Sequence, residues 1–187
     1  EFVDEARRLS GLEVEIISGP HEARLIQEGI ALNVKERSEE MHMTMDIGGG
    51  SVEFIVWNQE GIKWSQSFDT GVARLQMLMA LPDPMGLQGM EKMLPFFDDV
   101  MAPLAAAVGA LSPSSLVGAS GSFDTLAAMA GTRTQKERPD HAQTPEPHPG
   151  LDPIPLGAWP RLSQELLTLD VHGRTSMPGM DPARVDL

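Results

Sequence analysis

The stretch Asp46-Ile47-Gly48-Gly49-Gly50-Ser51-Val52-Glu53 joins two apolar segments that have the character of β-strands. Three consecutive glycines permit a tight turn with positive φ and allow a ligand to approach the backbone closely. Their N–H groups, together with the Ser51 hydroxyl, are typical of a turn that binds phosphate oxygens. We therefore predict a β-hairpin whose turn, Gly48, Gly49, Gly50 and Ser51, binds a phosphate group.

Two acidic residues flank this turn, Asp46 at the end of the first strand and Glu53 near the start of the second. Across a hairpin their carboxylates can face one cleft, and both have apolar neighbours. Burying a carboxylate without a partner is costly, so a metal ion or hydrogen-bond donors are expected beside them. The plainer alternative, a glycine-rich turn flanked by exposed acids, stays open at this point.

The segments around the hairpin predict a β-meander followed by α/β units. The predicted strands are residues 13–17, 42–47, 51–57, 62–68 and 115–117. The predicted helices are residues 2–10, 20–32, 71–80, 123–130 and 158–169, with kinked or split helices over 87–110 and a possible helix from Asp181. Residues 33–41 and 131–157 read as polar loops, the second long and exposed. This order predicts an α/β fold with a mixed sheet and flanking helices, as in each half of actin-like and ribonuclease-H-like folds.

A second glycine turn, Gly118-Ala119-Ser120-Gly121-Ser122, lies between a short strand and a helix. At such a position backbone N–H groups and the helix dipole can bind an anion. Gly118, Ser120, Gly121 and Ser122 are therefore candidate phosphate ligands. Many strand-to-helix turns contain Gly and Ser for geometry alone, and that interpretation remains open.

A third candidate is Glu22, in the segment Ser18-Gly19-Pro20-His21-Glu22-Ala23-Arg24. An acid in the first turn of a helix is favoured by the helix dipole, which is the structural explanation. The functional alternative is a general base that orients a water molecule toward a phosphoryl group. Arg24 is placed either to contact phosphate or to pair with Glu28 one helical turn later.

Composition narrows the functional classes. The 187 residues carry a formal net charge of −13 and contain no cysteine. An acidic chain is a poor candidate for binding nucleic acid, and no stretch has the ~20 consecutive apolar residues that a membrane helix needs. Disulfides are excluded, and the cytoplasm is the expected compartment. Because the first residue is Glu1 and the opening segment reads as the middle of a helix, we expect a fragment of a longer protein.

The three candidate segments, in this order, resemble the Ppx/GppA family of exopolyphosphatases and guanosine pentaphosphate phosphohydrolases. The matching segments are EIISGPHEARLIQEGI (15–30), MDIGGGSVEFIV (45–56), DTGVARL (69–75), VGASGSFDTLAAM (117–129) and PGMDPARVDL (178–187). The resemblance implies an actin-like (ASKHA superfamily) fold with two lobes around a cleft. Residues 1–32 would be the remnant of the N-terminal lobe with a connecting helix, and residues 33–187 the second lobe.

The resemblance also implies roles for the candidate residues. Glu22 falls on the family's catalytic glutamate, Asp46 and Glu53 fall on its metal-site acids, and the glycine turn falls on its phosphate loop. The cofactor would be Mg²⁺. The substrate would be polyphosphate or a guanosine tetra- or pentaphosphate, with no nucleic-acid or membrane partner, and a homodimeric parent is left open.

Departures from the family pattern keep other functions in play. Val52 stands where the family often has Thr, and His21 where it often has Glu. The N-terminal lobe is missing, so we expect little hydrolysis by the 187 residues alone. A non-catalytic sensor of phosphorylated nucleotides on the same fold is the main alternative. A sugar or acetate kinase of the superfamily is disfavoured by the segment around Glu22.

Overall fold

A mixed four-stranded sheet forms the centre of the computed structural model, which describes residues 2–32, 39–137 and 152–185. Its strands are β1 (His42–Ile47), β2 (Val52–Asn58), β3 (Gly61–Phe68) and β4 (Ser115–Ala119). Their order across the sheet is β3-β2-β1-β4. The first three strands are antiparallel, and β4 runs parallel to β1. The predicted meander and mixed sheet are therefore present.

Eight helices surround the sheet within the described residues. They are α1 (Phe2–Ser10), α2 (Gly19–Ala31), α3 (Val72–Leu78), α4 (Gly86–Val100), α5 (Ala102–Leu111), α6 (Gly121–Glu137), α7 (Trp159–Thr168) and α8 (Val171–Thr175). Short 3₁₀ turns cover Leu156–Ala158 and Pro182–Arg184, the second at the predicted start near Asp181. The predicted interruption of residues 87–110 is confirmed near Pro103, where α4 ends at Val100 and α5 begins after a bend of 64°. No interruption occurs at Pro95, which lies inside α4.

One face of the sheet is covered by α2. Side chains alternate between faces along a strand, so Glu53, Ile55 and Trp57 share this face. Ile55 and Trp57 form a buried cluster with Ala23 of α2. We call this the α2 face. Asp46 lies on it too, because Asp46 is the cross-strand partner of Glu53.

The opposite face packs against α4 and α5. Val52, Phe54 and Phe68 are buried there, with Val100 and Leu104 among the residues packed against them. No single helix in the described ranges is long and apolar enough to cross a membrane. Within these ranges, only α4 and α5 together have the length and apolar composition of a membrane span, and a bend of 64° separates them.

A separate apolar cluster holds the last helices against α6. Its buried members are Met129, Ala130, Leu162 and Met177. This packing brings the end of the chain back toward the start of α6. The 3₁₀ turn that carries Arg184 is thereby placed beside the second glycine turn.

Two secondary-structure predictions were wrong. Residues 13–17 form no strand, because no other strand of the described chain lies beside them to complete a hydrogen-bond ladder. The predicted loop 131–157 begins too early, since α6 continues to Glu137 through residues that include the good helix formers Gln135, Lys136 and Glu137. Residues 138–151 of that loop, and 33–38 of the predicted loop 33–41, lie outside the described residues.

Candidate functional site

The glycine turn between β1 and β2 is fixed by the amino end of α3. The N–H of Val72 donates to the carbonyl of Gly48 at 3.1 Å, and the N–H of Arg74 donates to that of Gly49 at 3.1 Å. The carbonyl of Gly50 accepts from the N–H of Gly71 at 3.3 Å and from Nε of Arg74 at 3.1 Å. All three glycine carbonyls therefore point at α3.

This arrangement directs the N–H groups of the turn the other way. In a planar trans peptide the C=O and the following N–H point in opposite directions. With the carbonyls of residues 48, 49 and 50 turned to α3, the N–H groups of Gly49, Gly50 and Ser51 point away from it. No hydrogen bond within the described residues uses these three N–H groups. Gly49 and Gly50 are exposed, so the three donors are open to an anion.

The conformational reason for the glycines differs from the predicted one. None of Gly48, Gly49 or Gly50 has a positive φ. The position beside this turn that has no room for a side chain is instead Gly71, where a Cβ would lie 2.4 Å from the backbone carbon of Gly50 and from the nitrogen of Ser51. A Cβ on Gly50 would meet nothing within 4 Å. The lack of side chains at Gly49 and Gly50 therefore keeps their exposed N–H groups uncovered.

Asp46 and Glu53 form a pair of carboxylates beside the turn. They are direct cross-strand partners on the α2 face, which places their Cβ atoms about 4.5–5.5 Å apart. Glu53 is only 7% exposed, and its carboxylate accepts a hydrogen bond of 2.7 Å from Ser67 on β3. Neutral hydroxyl groups do not compensate two neighbouring negative charges, so the pair is suited to a cation.

The unfavourable electrostatic interaction between the two carboxylates affects the pKa of Asp46. Burial raises the pKa of Asp46 above its ordinary value, and the negative charge of Glu53 raises it further. The Ser120 hydroxyl acts in the opposite direction. The folded chain therefore binds a proton at Asp46 more readily than the unfolded chain does, and the charged form of Asp46 destabilises the fold at neutral pH.

This predicts that Asp46→Asn raises the melting temperature of the chain at pH 7. The gain should shrink as the pH falls and vanish below about pH 3, where Asp46 is protonated in both the folded and the unfolded states. Thermal unfolding of both proteins across a pH series measures the difference, with Asp98→Asn on the exposed side of α4 as the control. A stabilisation that persists unchanged into acid would contradict this origin.

The second glycine turn is brought next to the first by the parallel pairing of β1 and β4. Asp46 pairs with Ala119, and the Ser120 hydroxyl donates to the carbonyl of Ile47 at 3.1 Å. Ser120 has a φ of 77°, a left-handed conformation that is uncommon outside glycine. The two turns thus lie together at one end of the sheet.

Packing accounts for two glycines of this second turn. A Cβ on Gly118 would lie 2.1 Å from the ring of Phe123, and a Cβ on Gly121 would lie 2.1 Å from the guanidinium of Arg184. Within the described residues, no hydrogen bond involves the Ser122 hydroxyl. The phosphate-binding roles of Gly118, Ser120, Gly121 and Ser122 remain predictions, since the structure gives Gly118 a packing role and Ser120 a partner in β1.

Sequence reasoning assigned no role to two arginines that flank the site. Arg74 adjoins the first turn and pairs with Asp69 at 3.4 Å, and Arg184 lies on Gly121 and pairs with Asp181 at 3.5 Å. Both arginines lie in segments that carry the family resemblance, DTGVARL and PGMDPARVDL. That resemblance was the sequence signal by which they could have been identified. The net charge of −13 gave no indication that two cationic side chains lie beside the site.

Glu22 lies in the first turn of α2 with its side chain exposed. The adjacent Ala23 is buried against the α2 face, with Ile55, which is two residues along β2 from Glu53. Glu22 is therefore carried by the helix that covers the face on which Asp46 and Glu53 lie. Arg24 pairs with Glu28 at 3.6 Å, the alternative that the spacing offered.

The residues present suit a magnesium ion better than a metal ion whose ligands are all protein side chains. No group of three or more His, Cys, Asp or Glu side chains with metal-binding geometry occurs in the described ranges. Mg²⁺ is commonly held by one or two carboxylates, with water and substrate phosphates completing its coordination. Asp46 and Glu53, next to the open N–H groups of the glycine turn, match that pattern.

Comparison with known proteins places the chain in a family. A sequence model described as the Ppx/GppA phosphatase family matches residues 1–187. A guanosine-5'-triphosphate,3'-diphosphate pyrophosphatase of Aeromonas hydrophila is 35% identical over 71 residues, which are 38% of this chain and 14% of that protein. The same name belongs to a relative from Aeromonas salmonicida with the same identity and coverage.

Solved structures confirm the fold class. An exopolyphosphatase from Cytophaga hutchinsonii superposes with a TM-score of 0.81 at 34% identity, over 98% of this chain and 57% of that one. The Aquifex aeolicus member of the Ppx/GppA family gives a TM-score of 0.68 at 18% identity, over 99% and 56%. The predicted actin-like lobe with a mixed sheet is therefore confirmed. The chain spans a little over half the length of these two structures.

Proposed function

Because the chain belongs to the Ppx/GppA phosphatase family, we propose that the protein carrying it is a phosphohydrolase that removes the terminal phosphate from inorganic polyphosphate or guanosine pentaphosphate. The observation that supports this most is the juxtaposition of three open N–H groups, at residues 49–51, with the carboxylate pair Asp46 and Glu53. Donors and a cation site side by side are what a phosphoanhydride substrate requires. A cytoplasmic location is part of the proposal.

Asp46 and Glu53 would hold Mg²⁺, either directly or through water. When bound, the ion would neutralise charge on the phosphate oxygens. The N–H groups of Gly49, Gly50 and Ser51 would bind the terminal phosphoryl oxygens and stabilise the charge that develops on them. Arg184 at the second turn supplies a positive charge on the other side of the same end of the sheet.

Glu22 would act on the attacking water. The water oxygen forms a bond to the terminal phosphorus while the anhydride P–O bond breaks, and the water proton passes to the Glu22 carboxylate. The leaving group is the shortened polyphosphate or guanosine tetraphosphate. Glu22 is exposed on this chain, so in this proposal the part of the protein beyond these 187 residues closes the cleft over it.

The substitution at Val52 does not weaken the enzymatic proposal. Val52 is buried with Phe54 and Phe68 on the face opposite Asp46 and Glu53. A Thr hydroxyl at this position would point into that core and not into the cleft. Val52 is therefore no longer a reason to favour the alternative function, a non-catalytic nucleotide sensor.

Phosphate release by the full-length protein tests the proposal. The substrates are polyphosphates of several lengths and guanosine pentaphosphate, with and without Mg²⁺, and p-nitrophenyl phosphate serves as the monoester control. We expect Mg²⁺-dependent release from an anhydride substrate, and little release by the 187 residues alone. Binding without release under every condition would favour the sensor, and strong hydrolysis by the 187-residue chain would contradict the need for a second lobe.

A further inference from the structure

The seven-residue helix α3 follows β3 and makes contacts that the proposed mechanism does not use. We propose that its amino end is a brace for the glycine turn, with Gly71 and Arg74 as positioning residues that set the direction of the phosphate-binding N–H groups. The expected effect of the brace on phosphoanhydride binding rests on the proposed function. Its structural part stands on the hydrogen bonds alone.

The first support is that three N–H donors at the amino end of α3 are already used. The N–H groups of Gly71, Val72 and Arg74 all donate to carbonyls of the turn, at 3.3, 3.1 and 3.1 Å. These are donors that a helix start would otherwise offer to an anion. These three N–H groups therefore act on a phosphate only through the peptide groups that they orient.

The second support is the double attachment of Arg74. Its N–H holds the carbonyl of Gly49, and its Nε holds that of Gly50 at 3.1 Å. Asp69, at 3.4 Å from Nη2, fixes the other side of the guanidinium. These two carbonyls belong to the same peptide groups as the N–H groups of Gly50 and Ser51, so a rotation of either carbonyl turns a phosphate donor away.

The third support is the fit at Gly71. This residue is buried, and its Cα lies so close to the turn that a Cβ would sit 2.4–2.5 Å from backbone atoms of Gly49, Gly50 and Ser51. Backbone cannot yield as a flexible side chain can. Any larger residue at position 71 must separate α3 from the turn and break the three hydrogen bonds.

Arg74→Met and Arg74→Lys test the brace, with Arg161→Met as the matched control. Arg161 lies on α7, and its side chain is 49% exposed against 47% for Arg74. The first measurement uses ligand-free protein and follows hydrogen exchange at Val72 and the amide resonances of Gly49, Gly50 and Ser51. The second measures the affinity of each variant for magnesium tripolyphosphate.

We expect Arg74→Met to speed exchange at Val72, shift the three resonances and weaken tripolyphosphate binding about threefold to tenfold, the loss expected for one charge-assisted hydrogen bond at the surface. Arg74→Lys should behave like the Met variant, because an ammonium cannot reproduce the Nε geometry. Full recovery of affinity with Lys would show that Arg74 acts by charge, which overturns the brace. Unchanged ligand-free spectra in both variants would overturn it as well.

Gly71→Ala extends the test, with Gly109→Ala as its control because a Cβ at Gly109 meets nothing within 4 Å. We expect the same changes in the Gly71 variant at larger amplitude. If the unsubstituted full-length protein fails to bind tripolyphosphate, the proposed function fails, while the ligand-free exchange still decides the brace.

Discussion

Glu22→Gln in the full-length protein is expected to reduce kcat by about 10²–10⁴, the usual contribution of a general base. Gln keeps the size of the side chain and its place in the first turn of α2, but it cannot accept the proton of the attacking water. The side chain is exposed and lies outside the buried cluster around Ala23, so folding should be unaffected. Substrate affinity should stay close to that of the unsubstituted protein, since Glu22 contacts the water and not the phosphate donors.

Glu28→Gln is the matched control, because Glu28 is an exposed acid on the same helix and forms an ion pair with Arg24. Single-turnover phosphate release and equilibrium binding of a slowly hydrolysed substrate separate the chemical step from binding. If kcat of the Glu22 variant equals that of the Glu28 variant, Glu22 is not the base. Loss of binding in step with kcat would instead assign Glu22 a ligand-holding role.

Glu53→Gln is expected to weaken Mg²⁺-dependent turnover by about tenfold to a hundredfold, the scale seen when a metal site loses a supporting group. Glu53 is buried, and Gln can still accept the hydrogen bond from Ser67, so packing is preserved. What changes is the charge available to a divalent cation. The defect should lessen as the Mg²⁺ concentration is raised, because mass action compensates a weakened site.

Glu60→Gln provides the comparison for a glutamate outside the site, since Glu60 is exposed and pairs with Lys63. Phosphate release is measured over a series of Mg²⁺ concentrations for each variant, with melting temperatures recorded in parallel. An unchanged Mg²⁺ dependence in the Glu53 variant would remove this residue from the metal site. A large loss of stability would instead assign the defect to folding.

The central sheet could be predicted closely from the sequence. The bounds of β1 agree with the prediction at both ends, and β2 to β4 differ by one or two residues. Alternating apolar residues and a glycine turn are local signals, and the hairpin pairing of Asp46 with Glu53 follows from them directly. The carboxylate pair was therefore within reach of sequence reasoning.

Features that depend on distant contacts could not be predicted. Arg184 lies on Gly121 only because the cluster around Leu162 folds the chain end back onto α6. The contact between Gly71 and Gly50 joins residues across the whole of β2 and β3, and no local pattern indicates it. The expected strand at residues 13–17 fails for the same reason, since a strand exists only where another backbone is present to pair with it.

The most direct test of the proposed site is amide NMR of the 187-residue chain during titration with magnesium tripolyphosphate. We expect the N–H resonances of Gly49, Gly50 and Ser51 to move together and their hydrogen exchange to slow. Those of Val72 and Arg74 should be protected already in the free chain, because they donate to the turn. A titration that leaves the three turn resonances in place while others shift would contradict a phosphate site at the glycine turn.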